Sequence, residues 1–197
     1  MTLHIGVDLG TSGVKAVLLR DLTTVLAEAA HPLTISRPHI GWSEQDPDHW
    51  VAAVLGCLDD LAAKAPQDMA QVRGIGLSGQ MLAALILDTD LRPIRPAMLW
   101  NDQRALDECA VLLARVPDIG QRSNGTPDPG ITAAKVMWLA KHEPRAMDRA
   151  RMLLLTKDYV RLVLTGDLAT EASDAGGTQL LDCRRGVWDA RLCAAAG

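Results

Sequence analysis

Apolar and polar positions alternate over residues 3 to 9, break at a knot of Asp, Gly, Thr and Ser, and resume over 14 to 20. Both runs are rich in Val and Leu and predict strands. Residues 27 to 36 predict a third strand paired with them, with Pro32 at a bulge or an edge. The loop "GWSEQDPDHW" then leads into a helix with Asp46 as N-cap, Pro47 at the first helical position and Asp48 in the first turn. Trp50, Val51, Val54, Leu55, Leu58, Leu61 and Ala62 recur every three or four residues and predict its buried face, which stops before Pro66.

Further on, residues 72 to 79 predict a short buried strand and 82 to 88 another, followed by a turn at "TDLRP". The pattern over 103 to 115 predicts a helix with Leu106, Cys109, Ala110 and Leu113 inward. Residues 123 to 130 read as a loop on composition. "ITAAKVMWLAKHEP" predicts a helix ended by Pro144. "MLLLTKDYVRLVLTG" predicts a strand running into a helix from about Thr156, closed by Gly166. Strands first, then alternating helices and strands, with no internal repeat or low-complexity linker, predict one α/β domain with a mixed sheet.

Composition narrows the function classes. The 197 residues are 48% hydrophobic, enough for a sizeable core, and the net charge of −4 with no basic run argues against a nucleic-acid partner. Tyr159 and five Trp are the aromatics, with no Phe, so no stacking platform for nucleic acid is visible. The four Cys are widely spaced without a C-x-x-C, and the five His have no metal-ligand spacing. No apolar run approaches a membrane span and the N-terminus lacks signal-peptide features, so a cytoplasmic protein with reduced thiols is expected.

The knot itself, D-x-G-T-S-x-x-K from Asp8 to Lys15, admits two readings. Gly10 and Gly13 let backbone N–H groups approach an anion without a Cβ in the way, Thr11 and Ser12 add hydroxyl donors, and Lys15 adds a cation. Asp8, at a strand end, would hold a hydrated Mg²⁺ bridging phosphates. The other reading is a plain hairpin whose turn favours Asp, Gly and Ser for conformational reasons. The pattern resembles the first phosphate loop of the actin and sugar-kinase superfamily.

A second stretch, "GITAAKVMWLAKH" from Gly130 to His142, matches the N-domain signature of the FGGY carbohydrate kinases through Thr132, Lys135 and Trp138. On spacing alone it is an amphipathic helix with Val136, Leu139 and Ala140 on one side and Lys135 off it. "GWSEQDP" with Trp50, "LWNDQR", "LLLTKDYVRLVLTG" and "SDAGGTQLLD" resemble xylulokinase stretches in the same order. The chain is therefore similar to the xylulokinase-like members of the FGGY family. The resemblance implies an α/β fold: a ribonuclease-H-like, actin-like ATPase domain with a mixed β-sheet flanked by helices.

It also implies ATP-dependent phosphorylation of a sugar hydroxyl, D-xylulose at its 5-OH, with Mg²⁺ at Asp8 and nucleotide phosphates on Gly10, Thr11, Ser12, Gly13 and Lys15. Part of the sugar site would fall on Gln80, Met81 and Leu82. Gln80 and Met81 also read as a strand end packed on a neighbouring helix. Xylulokinases usually carry His where this chain has Leu82, and an apolar side chain cannot replace that donor, so a different ketose or polyol stays open. Asp102 and Arg104 either line the sugar cleft or pair with each other and cap the next helix. Asp174 receives no role.

The family's catalytic Asp lies in a G-G-x-D-type stretch that these 197 residues lack, as does the domain carrying the adenosine site. The chain is thus expected to be an N-terminal domain portion, residues 1–197, inactive alone, with the missing C-terminal half or a homo-oligomer as partner. Two other readings compete with this one. One is a non-catalytic remnant or interaction module; the other is an unrelated actin-like ATPase-fold protein sharing only the first loop.

Overall fold

The two opening runs pair as expected in the computed structural model of the chain, which describes residues 2–123 and 125–197. Strands β1 (Leu3–Leu9) and β2 (Gly13–Arg20) form an antiparallel hairpin, with Asp8 opposite Lys15. Strand β3 (Thr24–Pro32) pairs antiparallel with β2 and ends at Pro32, opposite Gly13. After β4 (Glu44–Gln45) come α1 (Pro47–Lys64), α2 (Pro66–Met69) and β5 (Val72–Gly79). Strand β5 runs parallel to β1, which completes a mixed sheet in the order β3-β2-β1-β5.

The side chains of Leu3, Ile5, Val7 and Leu9 with Val14, Ala16 and Leu18 make the buried face of the sheet. Helix α1 covers β2 and β3. Its start is set by Asp46, whose side chain accepts from the Asp48 N–H. Trp50, Val54 and Leu61 face the sheet as expected, joined by Ala53 and Cys57, but Leu55 is exposed.

Strand β5 differs from its expectation. Ile75 and Leu77 share the face of Ile5 and Val7, yet Ile75 is 44% exposed because β5 is the outer strand of the sheet among the described residues. A run of apolar residues marks a strand but does not say whether it lies inside or at an edge.

The remaining elements are β6 (Leu85–Leu87), β7 (Ala97–Met98), α3 (Leu106–Arg115), α4 (Ile119–Arg122), α5 (Thr132–His142) and α6 (Pro144–Arg149). They are followed by β8 (Met152–Leu154), α7 (Thr156–Thr165), α8 (Ala172–Gly177), β9 (Leu181–Asp182), β10 (Val187–Trp188) and α9 (Ala190–Ala196). Gly166 closes α7 in the left-handed conformation, φ 77°, as its position predicted. The loop expected at 123 to 130 includes Asn124, which lies outside the described residues.

Helices α3, α5 and α9 enclose a second core, built on Leu112, Ala134, Leu139 and Leu192. Of the expected inward face of α3 only Cys109 is buried; Glu108 and Leu112 join it, with Ala105 just before the helix, while Leu106, Ala110 and Leu113 are exposed. Strands β6, β7 and β8 stand between the two cores. Leu85, Leu87, Ala97, Leu99 and Leu154 serve the first, and Ala84, Ile86 and Met98 the second, by strict alternation. All four cysteines are free, and no helix among the described residues is long and apolar enough to cross a membrane.

Candidate functional site

Three carbonyls at the β1–β2 hairpin turn are held by groups from elsewhere in the chain. The Leu9 carbonyl accepts from the Gln80 N–H at 2.8 Å and the Ser12 carbonyl from the Leu33 N–H at 2.9 Å. The Thr11 carbonyl accepts from Gln45 Nε2 at 2.7 Å. The N–H groups of Thr11 and Ser12 have no partner among the described residues, while the pairing of Leu9 with Val14 turns the Gly10 N–H toward the Gly13 carbonyl. The Thr11 hydroxyl accepts from Trp100 Nε1 at 3.0 Å, so its own O–H is left to donate elsewhere. Gly13 is required by close approach: a Cβ there would stand 2.9 Å from the His31 carbonyl.

Asp8 and Lys15 face each other across the hairpin, with Ser78 of β5 beside Asp8; all three are exposed. Among the described residues no group of three His, Cys, Asp or Glu stands ready for a metal. A single exposed carboxylate next to a donor-rich loop fits Mg²⁺ of the kind that keeps most of its waters and binds through one or two carboxylates plus phosphates. It does not fit a metal needing a full protein cage.

The strand end after β5 enters the same region. Gln80 is buried, and its Nε2 donates to Gln45 Oε1 at 2.8 Å. Met81 is exposed, and with Leu82, Lys157 and Asp174 it lines an open cleft of about 540 Å³. Leu82 holds a left-handed backbone, φ 65°, a strained state for a branched side chain. Two buried donors hold its carbonyl: Thr132 Oγ1 at 3.1 Å and Lys135 Nζ at 2.9 Å. Its side chain rests over Gly177, where a Cβ would come within 2.7 Å of Leu82 Cδ2.

Lys135 is therefore not the off-face residue its spacing suggested. It is fully buried, with Nζ also 2.6 Å from the Gly130 carbonyl. Burial pushes its ammonium down to about 7, against the pull of Asp102 and Asp128 and with help from Arg104. The folded value lies below the ordinary one, so the unfolded chain binds the extra proton between about pH 7 and 10, and stability rises with pH across that window. Below pH 7 the full penalty of the buried charge is present. We expect Lys135→Met to flatten this rise in urea midpoints measured from pH 7 to 10; equal slopes for variant and wild type would show that Lys135 does not carry it.

Asp102 and Arg104 pair with each other in the interior. Asp102 is wholly buried and accepts from the Ser43 N–H at 2.7 Å and from Arg104 Nε at 2.9 Å. Arg104 NH2 also reaches Glu44 Oε1 at 2.8 Å, and Arg95 bridges Glu44 to Glu143. The Arg104 guanidinium lies 3.5 Å over the Trp42 ring, and Trp42 meets Trp138 edge-on. The pairing alternative is the one realised, but without the helix cap: α3 begins after Ala105 with no side-chain cap. "GWSEQDP", "LWNDQR" and the α5 signature thus interlock as one buried ionic and aromatic cluster.

Two residues escaped the sequence reading. Gln45 touches both the β1–β2 turn and Gln80, and nothing in the sequence marked it, because the loop reading of residues 41 to 50 did not show the two-residue strand that places it. Trp100 is half-exposed, its indole donating to the Thr11 hydroxyl in the β1–β2 turn. Asp174 pairs with Lys157 Nζ at 2.9 Å, and its burial pushes its carboxyl up against that pull.

The profile of the FGGY family of carbohydrate kinases, N-terminal domain, matches residues 3–197. The chain belongs to this family. It is 44% identical over 193 residues to the xylulose kinase of Klebsiella pneumoniae, covering 98% of this chain and 40% of that protein. It is also 44% identical over 189 residues to the xylulose kinase of Escherichia coli K12, covering 94% of this chain and 38% of the relative. The crystal structure of a "xyloylose kinase" from Brucella ovis superposes with a TM-score of 0.96 at 43% identity, over 99% of this chain and 41% of that one. The fold is that of the actin-like ATPase sugar kinases. This FGGY chain spans about 40% of the length of the relatives it matches.

Proposed function

We propose that residues 1–197 are the N-terminal domain portion of an ATP-dependent, cytoplasmic sugar kinase that phosphorylates D-xylulose at its 5-OH. The unengaged N–H groups of Thr11 and Ser12 carry the reading: they are free to donate to nucleotide phosphates, with the Thr11 O–H as a further donor and exposed Lys15 close by on β2. Mg²⁺, held through Asp8, supplies charge neutralisation between the phosphates when bound. Gln80, Met81 and Leu82 form one side of the sugar site, Gln80 as the polar contact and the other two as apolar walls.

Phosphoryl transfer asks the protein mainly for positioning and for a carboxylate to accept the hydroxyl proton. This domain positions; the proton acceptor and the adenosine site belong to a C-terminal portion like the one that makes its relatives longer, which is also its proposed partner. One observation favours a second substrate reading. Leu82 offers no donor to a sugar hydroxyl, which suits a ketose or polyol lacking a hydroxyl at that point.

Two measurements test this. The chain alone is expected to bind Mg·ATP, with Asp8→Asn weakening it about tenfold, the loss of one contact near 1.4 kcal/mol; calorimetry showing wild-type, Mg²⁺-dependent affinity in Asp8→Asn overturns the metal assignment. ADP release with D-xylulose is expected to be absent for the chain alone, and kinase-like turnover overturns the division of labour.

A further inference from the structure

Gln45 is 2% exposed and sits between the two loops that the proposed reaction uses. Its contacts fix which amide atom is which. Trp50 Nε1–H can only donate, and it meets Gln45 Oε1 at 2.9 Å; the Thr11 carbonyl can only accept, and it meets Gln45 Nε2 at 2.7 Å. The amide has no alternative orientation. Its oxygen also accepts from Gln80 Nε2 at 2.8 Å, which orients the second amide in turn. Gln80 Oε1 is then left buried and without a partner among the described residues. Gln80 presents an acceptor, so what it binds must donate, as a sugar hydroxyl does.

We propose that Gln45 is a positioning residue that joins the phosphate hairpin and the amide of Gln80 into one hydrogen-bonded unit, so that an event at either is felt at the other. The identity of the two ligands rests on the sugar-kinase reading; the joint itself does not. Thr11 is the receiving end, held at its carbonyl by Gln45 and at its hydroxyl by Trp100. A competing route exists through the main chain, because the Gln80 N–H donates to the Leu9 carbonyl next to the turn. The side-chain route runs through Gln45 and is severed with it; the main-chain route is not.

The test compares backbone amide resonances of Thr11 in the ¹⁵N-labelled chain, without ligand. Gln80→Met is expected to displace the Thr11 signal in the wild-type background and to leave it unmoved when added to Gln45→Met. A Thr11 signal indifferent to Gln80→Met, or displaced equally in both backgrounds, overturns the proposal. Should Gln45→Met fail to fold, Gln45→Glu replaces it: that variant keeps the acceptor for Trp50 and Gln80 and removes the amide donor to Thr11. D-xylulose added to the wild-type chain, followed at the Met81 methyl and Gln80 Nε2, tests the sugar reading separately. An intact joint with no sugar response removes that reading and leaves the proposal standing.

Discussion

Trp50→Ala lowers the stability of the chain by about 3–5 kcal/mol in urea denaturation, the range for truncating a fully buried large aromatic. Trp50 is completely buried between α1 and the sheet, among Val14, Val54 and Leu99 of the first core. Its removal opens a cavity and deprives Gln45 Oε1 of a donor. Trp50→Phe separates the two contributions. It keeps most of the ring volume and loses the N–H, so it costs about 1–2 kcal/mol, the worth of one buried hydrogen bond with its partner left short. Equal losses in the two variants would mean that packing contributes little at this position.

The second large effect is expected at Gly130. A Cβ there would stand 2.3 Å from the Trp100 carbonyl and 2.9 Å from Asp128 Oδ1. A main-chain oxygen cannot swing away as a flexible side chain can, so Gly130→Ala must move one of two backbones. Overpacking of this kind costs about 1–3 kcal/mol and sometimes more. The Gly130 N–H donates to Asp128 Oδ1 at 2.7 Å and its carbonyl accepts from Lys135, so the displacement also reaches the start of α5. Trp100 moves with its carbonyl, and the bond from its indole to Thr11 lengthens. The measurable outcome is a lower urea midpoint with a change in tryptophan emission. Gly120→Ala is the contrast: its Cβ meets nothing closer than 3.6 Å in a helix, and it is expected to be neutral or slightly stabilising. A Gly130→Ala protein as stable as Gly120→Ala would refute the close-approach argument.

Where local chemistry decides, the sequence is readable. Asp46 before Pro47, Gly166 after an amphipathic run and the D-x-G-T-S turn between two apolar strands each carry their cause within a few residues. The features that escaped depend on partners far along the chain. Lys135 reads as a surface residue because a buried ammonium is costly, and its compensating carbonyl on Leu82 is 53 residues away. Asp102 and Arg104 read equally as cleft or pair because Glu44 and Trp42, which pack on the pair, lie far back in the chain, in β4 and the loop before it. Helix α3 differs for another reason: Leu106 and Leu113 fit a helical spacing with Cys109 as well as Leu112 does, and the inward face includes a buried Glu108. As a result, much of the family signature in this chain reports on architecture: Lys135, Trp138, Asp102 and Arg104 are held in buried contacts.

Strands β6 and β7 bear on what lengths of chain the fold tolerates. Because Leu85 and Leu87 fill one core while Ala84 and Ile86 fill the other, side-chain volume can drift on either side independently. Chain length cannot. A single residue inserted before Ala84 would exchange the two sets, sending small Ala84 where Leu85 is needed and the leucines to the face of Ala84 and Ile86, in both cores at once. Insertions and deletions should therefore accumulate in the turns around Asp90 and Arg184 and be absent from residues 84 to 87, even among relatives whose side chains there have changed.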